Sequence, residues 1–269
     1  MRMTIGKWCG ALALSLVLAA PVQAGSGAGS SSAGGAPSFT PEQIVKFAKK
    51  VEKTMAEKGA YVAVIARMGR SASELPEGMH FTHVAFAVYS EITTADGRKM
   101  PGYAIYNLYQ LDGKPDVSKL VQDYPVDFFA GVAQLESGLI IPSPELQRRI
   151  LEVIGSPTYK SLHNPHYSLI ANPFTLPKQN CTEHTLDVIN AAIYQTDDIN
   201  KIKEAEKKYF KAQRVNVSPL KLMLGSMFSA EVSTSDQQGT PVTATFETIA
   251  EYLKQYDKGS QVVTVTPES

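Results

Sequence analysis

Cysteine and tryptophan are almost absent from this chain of 269 residues, which has two of the first and one of the second. Cys9 falls in the amino-terminal apolar segment, so Cys181 has no partner in the rest of the chain and an internal disulfide framework is excluded. Neither sign of charge is in excess. The 26 basic and 26 acidic side chains cancel, and nothing in that balance draws the chain toward nucleic acid. No stretch reaches the roughly 20 apolar residues of a permanent membrane span. No internal repeat is visible.

What is present begins with Arg2 and Lys7, an apolar run over residues 11–20, and Val22-Gln23-Ala24. This is the pattern of a secretory signal peptide, residues 1–24, with cleavage expected after Ala24 and a periplasmic or secreted product. Residues 25–38 are Gly- and Ser-rich and read as a flexible linker. The folded domain is expected over 39–258, followed by a frayed tail over 259–269.

Within the domain, Thr40, Pro41 and Gln43 supply the start of a helix with the apolar stripe Ile44, Phe47, Ala48, Val51 and Met55, stopped by Gly59. The apolar run 61–66 predicts a strand buried on both faces. A loop over 67–78 follows, carrying Arg67 and Arg70 as candidate substrate contacts. Strand 82–89 has two unlike faces: Val84, Phe86 and Val88 on one, His83, Ala85 and Ala87 on the other. The alanine face is shallow enough for a helix to dock closely with His83 at its rim. A hairpin containing Asp96-Gly97 leads to strand 103–111, closed at Asp112-Gly113. Residues 128–141 are strand-prone, and Ser143-Pro144 opens a helix that stops at Gly155. The segment 156–180 holds four prolines and reads as a substrate-binding loop. A lysine-rich helix over 199–213 is expected to present a solvated face, 218–228 a short apolar helix, and 242–256 a strand and a helix.

The stretch Gln179-Asn180-Cys181-Thr182-Glu183-His184 is where chemistry concentrates. Asn180 is an N-cap, and Glu183 three residues on would complete a capping box, so Cys181 falls at the first helical position. There the helix dipole favours the thiolate and should lower its pKa below the free value of about 8.5. A thiolate, an imidazole, a polar group fixing the imidazole and oxyanion donors make a cysteine hydrolase. Cys181 is the candidate nucleophile, His83 the base, Asn107 the orienter, and Gln179 a side-chain oxyanion donor. The orienter depends on hairpin register: centring near Ala95 sets Asn107 opposite His83, whereas centring on Asp96-Gly97 sets Gln110 there. Cys181, His184, His163 and His166 could instead be drawn as a zinc site. No metal and no cofactor is expected.

Thr82-His83-Val84-Ala85-Phe86 on a strand, followed downstream by Asn180-Cys181-Thr182-Glu183 opening a helix, resembles the circularly permuted papain-like hydrolases of the NlpC and lecithin-retinol-acyltransferase kind. Together with Gly69-Arg70, residues 103–110 and Gln179-Asn180, it is more closely similar to domain of unknown function 2145, a family of exported bacterial proteins. The resemblance implies an α+β fold with an antiparallel sheet packed against the cysteine helix. It also implies a catalytic Cys181–His83 pair acting on an amide or ester bond, with export suggesting a cell-envelope peptide or acyl substrate. Ala85 replaces the glycine usual after His-Val, and Asn107 stands where relatives often have His or Glu. The rival expectation is a non-catalytic periplasmic binding module on the same fold.

Overall fold

The computed structural model describes residues 38–71, 75–94, 96–216, 218 and 232–269. The signal peptide expected over 1–24, nearly all of the linker expected over 25–38, and nearly all of the apolar helix expected at 218–228 lie outside these residues.

The architecture is α+β, built on a six-stranded antiparallel sheet in the order β4-β3-β2-β1-β5-β8. Helix α1 (Pro41–Glu57) starts with the Thr40/Gln43 capping box and ends before Gly59, whose φ of 68° suits glycine. The strands β1 (Val62–Met68), β2 (His83–Thr93), β3 (Lys99–Leu111) and β4 (Lys114–Asp123) follow. Then come α2 (Pro125–Phe129), β5 (Gln134–Ile141), α3 (Pro144–Ile154) and α4 (Thr158–Ser161). Helices α5 (Cys181–Tyr194) and α6 (Ile199–Tyr209) precede a two-stranded ribbon of β6 (Gln213–Arg214) and β7 (Val242–Thr243). Helix α7 (Phe246–Tyr256) and the edge strand β8 (Gln261–Val265) complete the chain.

Both faces of the sheet are covered, and side-chain size decides which helix goes where. Val84, Phe86 and Val88 of β2 share a core with Cys181, Leu186, Ala191 and Ala192 of α5 and with residues of α3, α6 and α7. Ala85 and Ala87 join the opposite core, with Phe47, Val51 and Met55 of α1 and Phe128 and Phe129 of α2. The shallow alanine face therefore receives α1 and α2, as a helix was expected to dock there, while the cysteine helix packs on the bulky face. Bulky α1 side chains fill the space that alanines leave, while the alanines of α5 meet the bulky face. On β5, Gly138 is required by close approach, because a Cβ there would come within 2.7 Å of the Phe81 and Phe246 rings.

Other expectations also change. Arg67 belongs to β1, paired with His83, rather than to a loop. Strand β4 had no counterpart in the reading, because its lysines and alternating exposure mark a solvated edge rather than a core strand. The expected tail contains β8, which pairs with β5 from Ser137↔Val265 to Ile141↔Gln261.

Helix α6 is not merely a solvated face. Lys203 is buried, its Nζ 2.9 Å from Glu183 Oε1, 2.6 Å from Asp187 Oδ1 and 3.1 Å from Glu206 Oε2. Asn190 Nδ2 donates to Glu206 Oε1 and Tyr252 OH donates to Asn190 Oδ1, which ties α5, α6 and α7 together. Burial opposes the Lys203 charge, but the three carboxyl groups outweigh it and hold its pKa well above the usual lysine value. Burial also raises Glu183 and Glu206, against the Lys203 charge that lowers them. Lys203→Met strands buried carboxyl groups without a cation and is expected to cost about 3–5 kcal/mol. That corresponds to a Tm at least about 6 °C lower. Unchanged thermal unfolding would show that the cluster carries no such energy.

Candidate functional site

The proline-rich segment before Cys181 is anchored by both backbone and side-chain hydrogen bonds. Gln179 N–H donates to His166 C=O, and Tyr167 N–H donates to Asp116 C=O on β4. The chain then enters α5 at Asn180, whose Oδ1 accepts Glu183 N–H at 2.9 Å while its Nδ2 donates to Leu169 C=O and Thr243 Oγ1. Only half of the expected capping box forms, because the Glu183 carboxyl turns to Lys203 instead of the N-cap. Thr182 Oγ1 donates to Ala244 C=O and fixes the first turn against the segment before α7.

Cys181 occupies the first helical position, as its sequence context predicts, and is 8% exposed. It lies in a cleft of about 80 Å³ whose walls include Leu75, Met79, Phe81, Leu169 and Ile170, with Arg70, Thr182 and Thr245 among its polar groups. Burial raises the thiol above its usual value; backbone N–H groups of Val84, Thr182 and Cys181 directed at the sulfur, and the Arg67 charge, pull the other way without prevailing. The expected depression of its pKa is therefore reversed. A helix terminus contributes a partial charge, whereas taking the whole thiolate out of water costs more.

His83 opens β2 on the opposite face. Its ring stacks on Tyr109 with centroids 5.0 Å apart and planes 15° apart, and it tilts over Phe128 of α2. Nε2 lies 3.0 Å from Asn107 Oδ1; Asn107 Nδ2 donates to Asp123 Oδ1 at 2.7 Å; Tyr109 OH donates to Asp123 Oδ2 at 2.9 Å. The Arg67 guanidinium lies over the Tyr109 and Phe128 rings and donates to Phe128 C=O. Burial, reinforced by the Arg67 charge and opposed by the Asn107 hydrogen bond, lowers the His83 pKa to about 3. The imidazole is neutral at ordinary pH.

The structure thus joins His83 to Asn107 but joins neither to Cys181. Successive strand residues point to opposite faces. His83 faces α2 while Val84, the next residue, packs on the cysteine side, and no hydrogen bond links thiol and imidazole. Neither expected register is the one observed. The β2–β3 ladder runs from Thr93↔Lys99 to Phe86↔Tyr106, centring on Asp96. Its continuation brings position 83 level with Tyr109, so Asn107 reaches His83 diagonally. Gln110 donates instead to Pro115 C=O. Gln179 spends its amide on Asn164 N–H, Leu162 C=O and Asp187 Oδ2, which leaves it no donor for an oxyanion. Arg70 is in the cysteine cleft; Arg67 is on the His83 face.

Of the remaining histidines, His80 pairs with Glu136, His163 with Ser118 Oγ, and His184 is buried in edge contact with the Tyr159 and His163 rings. Among the described residues no group of three or more His, Cys, Asp or Glu could hold a metal ion, so the zinc reading has no ligand set. Also among them, no helix is long and apolar enough to cross a membrane.

Sequence reasoning missed Asp123 and Tyr109. The usable signal was alternation along β4: once paired with β3, Asp123 stands opposite Ile105 and shares a face with Asn107. Burial raises Asp123 to about 7, against hydrogen bonds and the Arg67 charge that lower it.

A six-stranded antiparallel sheet between two helical layers, with a buried thiol in a cleft at one helix start, defines an α+β protein organised around Cys181. Residues 54–253 match the family described as an uncharacterized protein conserved in bacteria (DUF2145), and the chain belongs to that family. No curated protein matches it. No solved structure matches it either.

Two outcomes follow from the site. Alkylation of Cys181 by iodoacetamide should rise with a pH midpoint above that of a free thiol and be unchanged in His83→Ala; a midpoint lowered by His83 would contradict the separation of the two side chains. Because Asp123 is raised in the fold, its stabilising contribution is present below about pH 4 and lost as pH rises through about 7. Urea midpoints at pH 5 and 8 should therefore differ less in Asp123→Asn than in the wild type.

Proposed function

We propose that this protein is an exported, non-catalytic binding module. Its Cys181 cleft receives a short acyl or apolar peptide group of the cell envelope that carries a carboxylate. The observation behind this reading is the cleft itself: apolar walls around the sulfur, with Arg70 as a cation and Thr182 and Thr245 as polar groups. A mostly apolar pocket with a few polar groups is the usual form of a small-ligand site. Arg70 suits a carboxylate, because a guanidinium presents paired donors to its two oxygens. Nucleophilic catalysis is less well supported, since the thiol is held neutral and the imidazole belongs to the other face.

A second reading is favoured by one observation. His83 Nε2 is held by Asn107, no hydrogen bond to Nδ1 occurs among the described residues, and the N–H of Val84, the next residue, is directed at the sulfur. In a cysteine hydrolase or acyltransferase of papain-like, NlpC-type descent, Cys181 would attack an amide or ester carbonyl while His83 took the thiol proton and returned it to the leaving group. That chemistry requires the imidazole and the thiol to meet on one side of the sheet.

Calorimetric titration with short fatty carboxylates should give binding by the wild type and by Cys181→Ser. Losing the Arg70 charge-assisted contact is worth about 1.5–3 kcal/mol, so Arg70→Ala should weaken binding about tenfold or more. Mass spectrometry after incubation with an activated ester should find no acyl adduct that depends on His83. An adduct on Cys181 that disappears in His83→Ala would replace the binding module by the hydrolase.

A further inference from the structure

On the α1 and α2 side of the sheet an imidazole, an amide and a carboxylate stand in line. The amide is the ambiguous member. Its oxygen accepts and its nitrogen donates, so whichever atom faces His83 decides whether Nε2 carries a proton. Nothing within Asn107 itself makes that choice.

Asp123 makes it. Its Oδ1 is 2.7 Å from Asn107 Nδ2, and turning the amide over would set two acceptor oxygens against each other. Its Oδ2 already takes Tyr109 OH at 2.9 Å, so both carboxyl oxygens are used as acceptors. Asn107 is fully buried and His83 is 2% exposed, which denies water the chance to replace either contact. The backbone reinforces the arrangement, since Asp123 is paired across β3–β4 with Ile105, two residues from Asn107 on the same face.

We infer that Asp123 is a positioning residue for His83: by accepting the Asn107 amide proton it commits Asn107 Oδ1 to the ring, places the imidazole proton on Nε2, and leaves the Nδ1 lone pair as the acceptor. Tyr109 has a supporting part, bracing the ring by stacking and the carboxylate by its hydroxyl. The inference concerns the face opposite the cleft and stands whether or not Cys181 binds or reacts.

Imidazole nitrogens report their tautomer directly in ¹⁵N-resolved long-range proton correlation spectra, which can be recorded on the full chain at pH 8. The wild-type protein should show His83 as the Nε2–H tautomer in at least about tenfold excess, as expected when one arrangement leaves buried groups unpaired. Asp123→Ala should release the amide and bring in the Nδ1–H form. Asp123→Asn keeps an acceptor oxygen and Tyr109→Phe keeps the Asp123 carboxylate, so both should retain Nε2–H. A role limited to packing would lower stability in Asp123→Ala without moving the proton, and a folded Asp123→Ala that keeps Nε2–H overturns the inference. If Asp123→Ala does not fold, the wild-type and Asp123→Asn spectra decide, and Nδ1–H in either one is fatal to it.

Discussion

Alternation along β2 is the constraint from which the site follows. A strand sends neighbouring side chains to opposite faces, and His83 and Val84 are neighbours. With Val84, Phe86 and Val88 committed to the α5 core, His83, Ala85 and Ala87 must face α1 and α2. Reversing that choice would move every side chain of the strand at once, burying alanines against the alanines of α5 and leaving Phe86 to compete with Phe47 and Phe128. Packing thus holds the thiol and the imidazole apart more firmly than any local preference of either residue could. Their chemistry is subordinate to the volume match between sheet and helices.

Each face then resolves its buried polar groups separately. On the cysteine side, Lys203 gathers Glu183, Asp187 and Glu206, and Gln179 connects this cluster to the loop before α5 through Asp187. The residues that resembled oxyanion and capping groups in sequence are structural here, holding the helix that presents Cys181. On the other side, Asp123, Asn107, His83 and Tyr109 satisfy one another under the Arg67 guanidinium. A half-satisfied network in either place would cost more than an apolar replacement. The pairs that are made therefore constrain both the position of α5 and the end of the β2–β3 ladder.

How much of this could be read beforehand depended on the range of the interaction that fixed it. The α1 capping box, the ends of α3 and the placement of Cys181 at a helix start are local, set by Thr40, Ser143 and Asn180, and were legible. Partner choice is not local. The shallow face of β2 was visible in the alternation of His83, Ala85 and Ala87, but which helix would cover it depended on residues far away in the chain. The His83–Asn107 contact was anticipated from a register that does not occur. It survives because a diagonal neighbour in a sheet is still within reach of an amide. Asp123 was hidden because β4 carries lysines along a solvated edge, and Lys203 because three carboxylates from other turns of the chain draw it inward.

The thiol itself is held neutral by the same burial that makes its cleft apolar. To ionise it, the protein would have to recover in N–H contacts and in the Arg67 charge what water no longer supplies, and burial prevails. On the proposed export, that balance has a second consequence. A lone thiolate in an oxidising compartment is open to disulfide exchange and to stepwise oxidation, whereas a buried neutral thiol reacts slowly with either. The features that weaken Cys181 as a resting nucleophile are therefore those that preserve it as a cleft residue. A ligand that enters the cleft meets sulfur as a small polarizable surface before it meets it as a reagent.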